Sequence, residues 1–217
     1  MSGERAGPVE HHIQVTRTAR YWTLGDPRAE DVWVVIHGYK QLARRFLRRF
    51  EPIASPGRLI VAPEALSRFY ASAETGRHGP ASIVGASWMT REDRLVEIRD
   101  YVAYLDRLLE ALPLDGRRLT VLGFSQGVAT ASRWAATTRP PPARLVCWGG
   151  LVPEEIPAAR LADIRLTYVV GEQEEWAPLP AVEAQAASFR GAGGTVDVVR
   201  FDGGHEIRSD VVSRLSL

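Results

Sequence analysis

Gly123-Phe124-Ser125-Gln126-Gly127 is the stretch of this chain whose residue types and spacing point most directly to chemistry. It has the form G-x-S-x-G, with an apolar run before it and an alanine-rich run after it. A sharp strand-to-helix turn of this kind holds the serine in a strained backbone conformation and lifts its hydroxyl above the sheet. The neighbouring chain then passes so close that both flanking positions must lack a side chain. A serine hydroxyl is a weak nucleophile until a base takes its proton, and five histidines are available. His11 and His12 precede the first confident strand and read as solvated. His78 sits in Gly76-Arg77-His78-Gly79-Pro80, where nothing fixes it. His37 follows a strand directly but lies far before Ser125 and is paired with Gly38. His205 follows the last strand in Asp202-Gly203-Gly204-His205-Glu206, where two glycines allow a tight turn that could bring the imidazole to the serine. The order serine, acid, histidine is expected on a scaffold with this elbow, so His205 is the predicted base. The orienting acid should lie between them. Gly171-Glu172-Gln173-Glu174-Glu175-Trp176 offers three glutamates after a strand, and Asp163 and Asp202 are further options. Two N–H donors are also needed for a developing oxyanion. Gln126, next after the serine, supplies one, and the His37-Gly38-Tyr39 turn is placed to supply the other.

These residues need a scaffold, and the chain alternates strand, loop and helix. Val32 to Ile36 (VWVVI), Arg58 to Ala62, Leu119 to Leu122, Arg144 to Trp148, Leu166 to Val170 and Thr195 to Phe201 read as strands. Short continuous apolar runs of this kind suit a parallel sheet buried on both faces. His12 to Thr23 reads as an early strand or hairpin. Leu42 to Phe50, Gln126 to Thr138 and Leu179 to Arg190 read as helices. Glu92 to Leu112 is the strongest helix: Leu95, Ile98, Val102, Leu105, Leu108 and Leu109 recur at threes and fours, and Pro113 closes it. Residues 66–90 carry no clear period and read as a long loop. The pattern predicts one α/β domain over residues 1–217, with a mainly parallel sheet and helices on both faces. Ligands on such sheets bind beyond the carboxyl ends of the strands, where the serine, acid and histidine turns all fall.

Composition narrows the function classes. Lys+Arg is 27 and Asp+Glu is 26 in 217 residues, a formal net charge of +1, so no charge surplus favours nucleic acid or an anionic membrane. One cysteine, Cys147, excludes an internal disulfide and a multi-cysteine metal site. Met1 to Glu10 has no apolar stretch, so no signal peptide is expected, and no run approaches the length of a membrane span. The expected location is the cytoplasm.

With these residues assembled, the chain resembles an α/β-hydrolase of the phospholipase/carboxylesterase family, the group of acyl-protein thioesterases and small bacterial esterases. The resemblance runs from roughly Val32 to Ile207. It rests on Ile36-His37-Gly38, the Gly-Phe-Ser-Gln-Gly pentapeptide, Gly171 with its acidic loop ending in Pro178, and Gly204-His205-Glu206. It implies an α/β-hydrolase fold without a large cap domain, Ser125 as nucleophile, His205 as base, and the backbone N–H groups of Tyr39 and Gln126 as oxyanion hole. The family's acid is normally an aspartate three residues after the glycine, a place that falls on Glu174. Glutamate there is a departure that leaves Glu172 and Glu175 open. The implied activity is cleavage of small to medium carboxylic esters through an acyl-enzyme, with no cofactor and no metal. Thioester or lysophospholipid cleavage is the alternative, and a non-catalytic binding protein on the same fold is the reading from another class. Ser67 to Arg94, including the stretch GASWMTREDR, departs from the general family pattern and suggests a bacterial subgroup with its own wall over the pocket, within the loop read over residues 66–90. Phe69, Tyr70, Trp88, Met89 and Trp176 are the candidate pocket aromatics and methionine, and the expected partner is a small-molecule ester.

Overall fold

The computed structural model describes residues 7–71, 77–112 and 116–215; Pro113 and residues 72–76 of the expected wall lie outside them. The chain runs β1 (Tyr21–Gly25), β2 (Asp31–Ile36), α1 (Ala43–Leu47), a 3-10 turn (Arg48–Ile53), β3 (Arg58–Pro63), β4 (Ser67–Tyr70), β5 (Val84–Ser87) and α2 (Arg94–Ala111). It continues β6 (Arg118–Phe124), α3 (Gln126–Thr137), β7 (Arg144–Trp148), β8 (Arg165–Gly171), α4 (Leu179–Gly191), β9 (Val196–Phe201) and α5 (Ser209–Leu215). Seven strands form one sheet in the order β1-β3-β2-β6-β7-β8-β9, and β4 and β5 pair separately. Every neighbouring pair in the large sheet is parallel except β1 with β3.

Every residue of β2 is buried, as expected for a strand covered on both faces. Alternate side chains of the central strands feed two separate apolar layers. On one face Val34, Val121, Leu145 and Tyr168 pack with Tyr101 and Leu105 of α2, Trp134 of α3 and Val182 of α4. On the other face Trp33, Val35, Leu122 and Val169 pack with Phe46 of α1, Phe50 of the 3-10 turn and Val211 of α5. Each fully buried side chain of this size contributes roughly 1.5–3 kcal/mol of transfer free energy. In α2 the buried positions are Tyr101, Leu105 and Leu108, whereas Leu95 is exposed. The helix starts at Arg94, and its first turn lies outside the stripe that meets the sheet.

The expected early strand is shorter: β1 spans only Tyr21–Gly25 and joins the sheet edge antiparallel to β3. The segment expected as a structureless loop contains the antiparallel β4–β5 hairpin. No helix among the described residues is long and apolar enough to cross a membrane. The register aligns the functional ends: Ile36 lies beside Gly123, Phe124 beside Trp148, Trp148 beside Val169, and Gly171 beside Phe201. The residues that follow these strands therefore emerge along one sheet edge. The chain moves from β2 out to β3 and then returns to β6 on the other side of β2, which opens a crevice at that edge.

Candidate active site

Ser125 links β6 to α3 with φ 54° and ψ −122°, a positive φ that costs any residue other than glycine of order 1–3 kcal/mol. The close packing of its neighbours explains the flanking glycines. A Cβ at Gly123 would collide with the Gly127 carbonyl, and one at Gly127 with the carbonyl of Ile36. Gly38 lies against Phe124 and Ser125 in the same way, with a hypothetical Cβ 3.1 Å from Ser125 Cβ. The turn after β2 and the elbow after β6 are thus packed backbone to backbone. The Ser125 N–H donates to Trp148 O at 2.9 Å, which ties the elbow to the end of β7.

His205 is held by two loops. The Glu172 N–H donates to Phe201 O and the Gln173 N–H to Gly203 O, both at 2.9 Å, so the turn after β8 is zipped to the turn after β9. Gly171 permits this approach, because a Cβ there would strike the Gly203 carbonyl. Trp148 Nε1 donates to Glu206 O at 2.9 Å and anchors the far side. Within this frame His205 Nδ1 lies 2.7 Å from Glu174 Oε2. The Trp176 N–H donates to Glu174 Oε1 at 2.8 Å, and the Glu174 side chain is 1% exposed. A carboxylate oxygen accepts, so Nδ1 is the donor of this contact, which leaves Nε2 as the ring nitrogen free of it. The His205 ring lies 4.9 Å from that of Phe124, the residue before Ser125. The pair also abuts Gly149, whose hypothetical Cβ would be 3.1 Å from both Glu174 Oε2 and His205 Nδ1. Gly149 is the second residue after β6's neighbour Cys147 and follows Trp148, the acceptor of the Ser125 N–H. Elbow, imidazole and carboxylate therefore surround one backbone position.

Exposure separates the alternatives. Glu172, Glu175, Asp163 and Asp202 are exposed, and Asp202 Oδ1 accepts from Gln173 Nε2. Four histidines are engaged elsewhere or solvated. His11 is exposed, His12 lies 2.9 Å from Asp93, and His78 stacks on Tyr70 at 3.8 Å. His37 is fully buried, accepts from the Ala65 N–H on Nε2 and donates from Nδ1 to Gly38 O. Burial pulls its pKa below the ordinary histidine value, against the opposing effects of that backbone hydrogen bond and the Glu64 charge. It is a neutral brace for the turn that carries Gly38 and Tyr39. In that turn the Gly38 N–H donates to Gln41 Oε1 and the Lys40 N–H to Ala86 O. The Tyr39 N–H between them, and the Gln126 N–H at the start of α3, meet no acceptor among the described residues. They are available to a bound oxygen.

The five candidate pocket residues divide. Trp176 is 81% exposed, with its ring 6.5 Å from that of His205. Phe69 and Tyr70 stand on β4, where Phe69 stacks on Tyr39 at 5.4 Å. Trp88 is instead buried in the core, donating from Nε1 to His37 O. Met89 packs on the core, and its sulfur meets Arg133. The Gln126 side chain binds this segment, accepting from the Trp88 N–H at 3.0 Å and donating to Met89 O at 2.8 Å. The side-chain amide thus ties this segment to the start of α3, a contact that the pentapeptide alone does not reveal. Cys147 is buried and its thiol is pushed up to about 12 by burial, so it is not a competing nucleophile. Among the described residues one group has metal-ligand geometry: Glu10, His12 and Asp93, all exposed, join the N-terminal segment to the start of α2.

No protein-family model matches the chain, and no curated protein does. Solved structures do match. A carboxylesterase from Bacillus cereus superposes with a TM-score of 0.67 at 14% identity, over 91% of this chain and 92% of that one. Zea mays acyl-protein thioesterase 2 gives 0.66 at 19% identity, over 92% and 98%. The chain has the α/β-hydrolase fold. A carboxylesterase from Mesorhizobium loti gives 0.64 at 20% identity, over 91% and 93%. On this fold the Ser125 elbow follows β6 and the His205 loop follows β9, at the same edge of the sheet as the turn after β2.

Proposed function

We propose that the chain is a serine hydrolase of carboxylic esters. The observation that carries this reading is the 2.7 Å contact between His205 Nδ1 and the buried Glu174, built against the strained Ser125 elbow. In this reading Ser125 Oγ attacks the ester carbonyl while His205 Nε2 takes its proton. The tetrahedral oxyanion rests on the Tyr39 and Gln126 N–H groups. His205 returns the proton to the leaving alcohol, and an acyl-serine remains. Water, deprotonated by the same imidazole, then attacks the acyl-serine and frees the acid. Glu174 holds the ring and balances the imidazolium. Trp176 and Phe69 are the side chains proposed to flank the substrate, and no cofactor is used.

The acyl-protein thioesterase among the structural neighbours favours a thioester as second substrate class. A panel of para-nitrophenyl esters and acyl thioesters of graded chain length tests the reading, with Ser125→Ala as control. Turnover of short to medium acyl groups that vanishes in Ser125→Ala supports it. Absence of turnover on both series contradicts it and favours a binding protein.

A further inference from the structure

A cavity of about 330 Å³ opens beside His205, and its lining includes Phe124, Glu206 and three cations: Lys40, Arg45 and Arg49. The size suits a small ligand or one arm of a larger one. The cations come from a marked local imbalance. Residues 40–49 (KQLARRFLRR) carry five positive charges and no carboxylate in a chain whose net charge is +1. Arginines elsewhere are commonly matched: Arg58 with Asp31, Arg133 with Glu155, Arg165 with Asp197, Arg208 with Asp210. Lys40, Arg45 and Arg49 have no carboxylate within ion-pair distance among the described residues. Lys40 sits over the Tyr39 ring at 5.5 Å, and its left-handed backbone (φ 64°) is held by the Lys40 N–H bond to Ala86 O. Arg45 and Arg49 are four residues apart along α1 and the 3-10 turn that continues it. The lining has one opposing charge, Glu206, and that carboxylate also acts on Arg208 outside the cavity. The cavity is therefore net positive where it meets the imidazole.

We infer that this cavity selects esters bearing an anionic group, a carboxylate or a phosphate, on the acyl or the alcohol portion. The inference rests on the esterase reading and deepens it. Arginine suits both anions, because its planar donors match carboxylate and phosphate oxygens. A cation beside an open cleft also raises the local concentration of an anionic substrate, an effect that salt screens.

The experiment compares kcat/KM within matched pairs at low and high salt. The carboxylate arm uses the para-nitrophenyl esters of adipic and hexanoic acids, which share a six-carbon acyl chain and differ by the terminal carboxylate. The phosphate arm uses butanoylglycerol phosphate against butanoylglycerol. The expected result is a charged-to-neutral ratio above one in at least one arm at low salt. That ratio should fall on the order of tenfold in Arg45→Gln/Arg49→Gln, and fall in the wild-type protein when salt reaches about 1 M. The salt series needs no variant and decides the matter if the double variant does not fold. The arm that responds identifies the anion. A ratio at or below one in both arms overturns the inference, as does a ratio that neither salt nor charge removal alters. Turnover of the neutral esters leaves the esterase reading intact in that case, whereas no turnover of any ester overturns both.

Discussion

Replacing Gly149 with alanine asks directly whether the Glu174–His205 pair is the working one. The substitution has two separable costs. At φ +60° a side chain strains the backbone by about 1–2 kcal/mol. The new methyl would also stand 3.1 Å from Glu174 Oε2 and His205 Nδ1 and 3.2 Å from His205 Cε1, so the pair must yield by a few tenths of an ångström. The backbone cost lowers the melting temperature by a few degrees, at about 2–4 °C per kcal/mol for a chain of this length. The displacement acts on the chemistry: a misplacement of about 1 Å can cost about 100-fold in rate, so a loss of roughly 10-fold to 100-fold in kcat is expected. Gly193→Ala isolates the first cost, since Gly193 also has positive φ (88°) and nothing lies within 4 Å of its hypothetical Cβ. Thermal unfolding and para-nitrophenyl butanoate turnover are measured on both variants. Both should lose a few degrees, and only Gly149→Ala should lose turnover. Equal kcat in the two variants would refute the placement of the reacting imidazole against Gly149.

Glu174→Gln should lower kcat by about 10³- to 10⁴-fold, because a neutral amide neither fixes the Nδ1–H tautomer nor balances the imidazolium. Glu172→Gln and Glu175→Gln should stay near the wild-type rate, and a large loss in either would move the acid away from Glu174. Stability should fall on acidification through His37. Its native pKa lies below 6.5, so the unfolded chain takes up a proton first as the pH drops. The contribution is fully present above about pH 6.5 and is lost below it, at up to about 1.4 kcal/mol per pH unit. Urea midpoints measured between about pH 7.5 and 5 should show this slope, and His37→Asn should flatten it. An unchanged slope would assign the acid sensitivity to other groups.

The residues proposed to react were legible because their constraints are local. Two glycines around a serine, after one strand and before one helix, already encode the elbow, and two glycines before His205 encode a turn after the last strand. The choice among Glu172, Glu174 and Glu175 was not local. It follows from the zipping of the β8 and β9 turns, which buries the third residue after Gly171 and leaves its neighbours in solvent. The β4–β5 hairpin escaped for a similar reason. Its strands are four residues each and lie far apart in sequence, and they are fixed by bonds to Gln41 and Lys40 and by the Gln126 side chain on the adjoining Trp88 and Met89. Trp88 and Met89 read as pocket residues because aromatic and thioether side chains in a loop suit a substrate wall equally well. Their burial is decided by the tertiary contact with His37 and Arg133. Gly149 carried a signal in the sequence, a Gly-Gly pair directly after a buried strand, whose meaning depends on the loops packed over it.

The central claim concerns a single oxygen. Incubation with a fluorophosphonate, followed by intact-mass and peptide mass spectrometry, should place one phosphonyl group on Ser125 and none on the Ser125→Ala variant. An unlabelled native protein, or an adduct that persists in Ser125→Ala, would contradict the account.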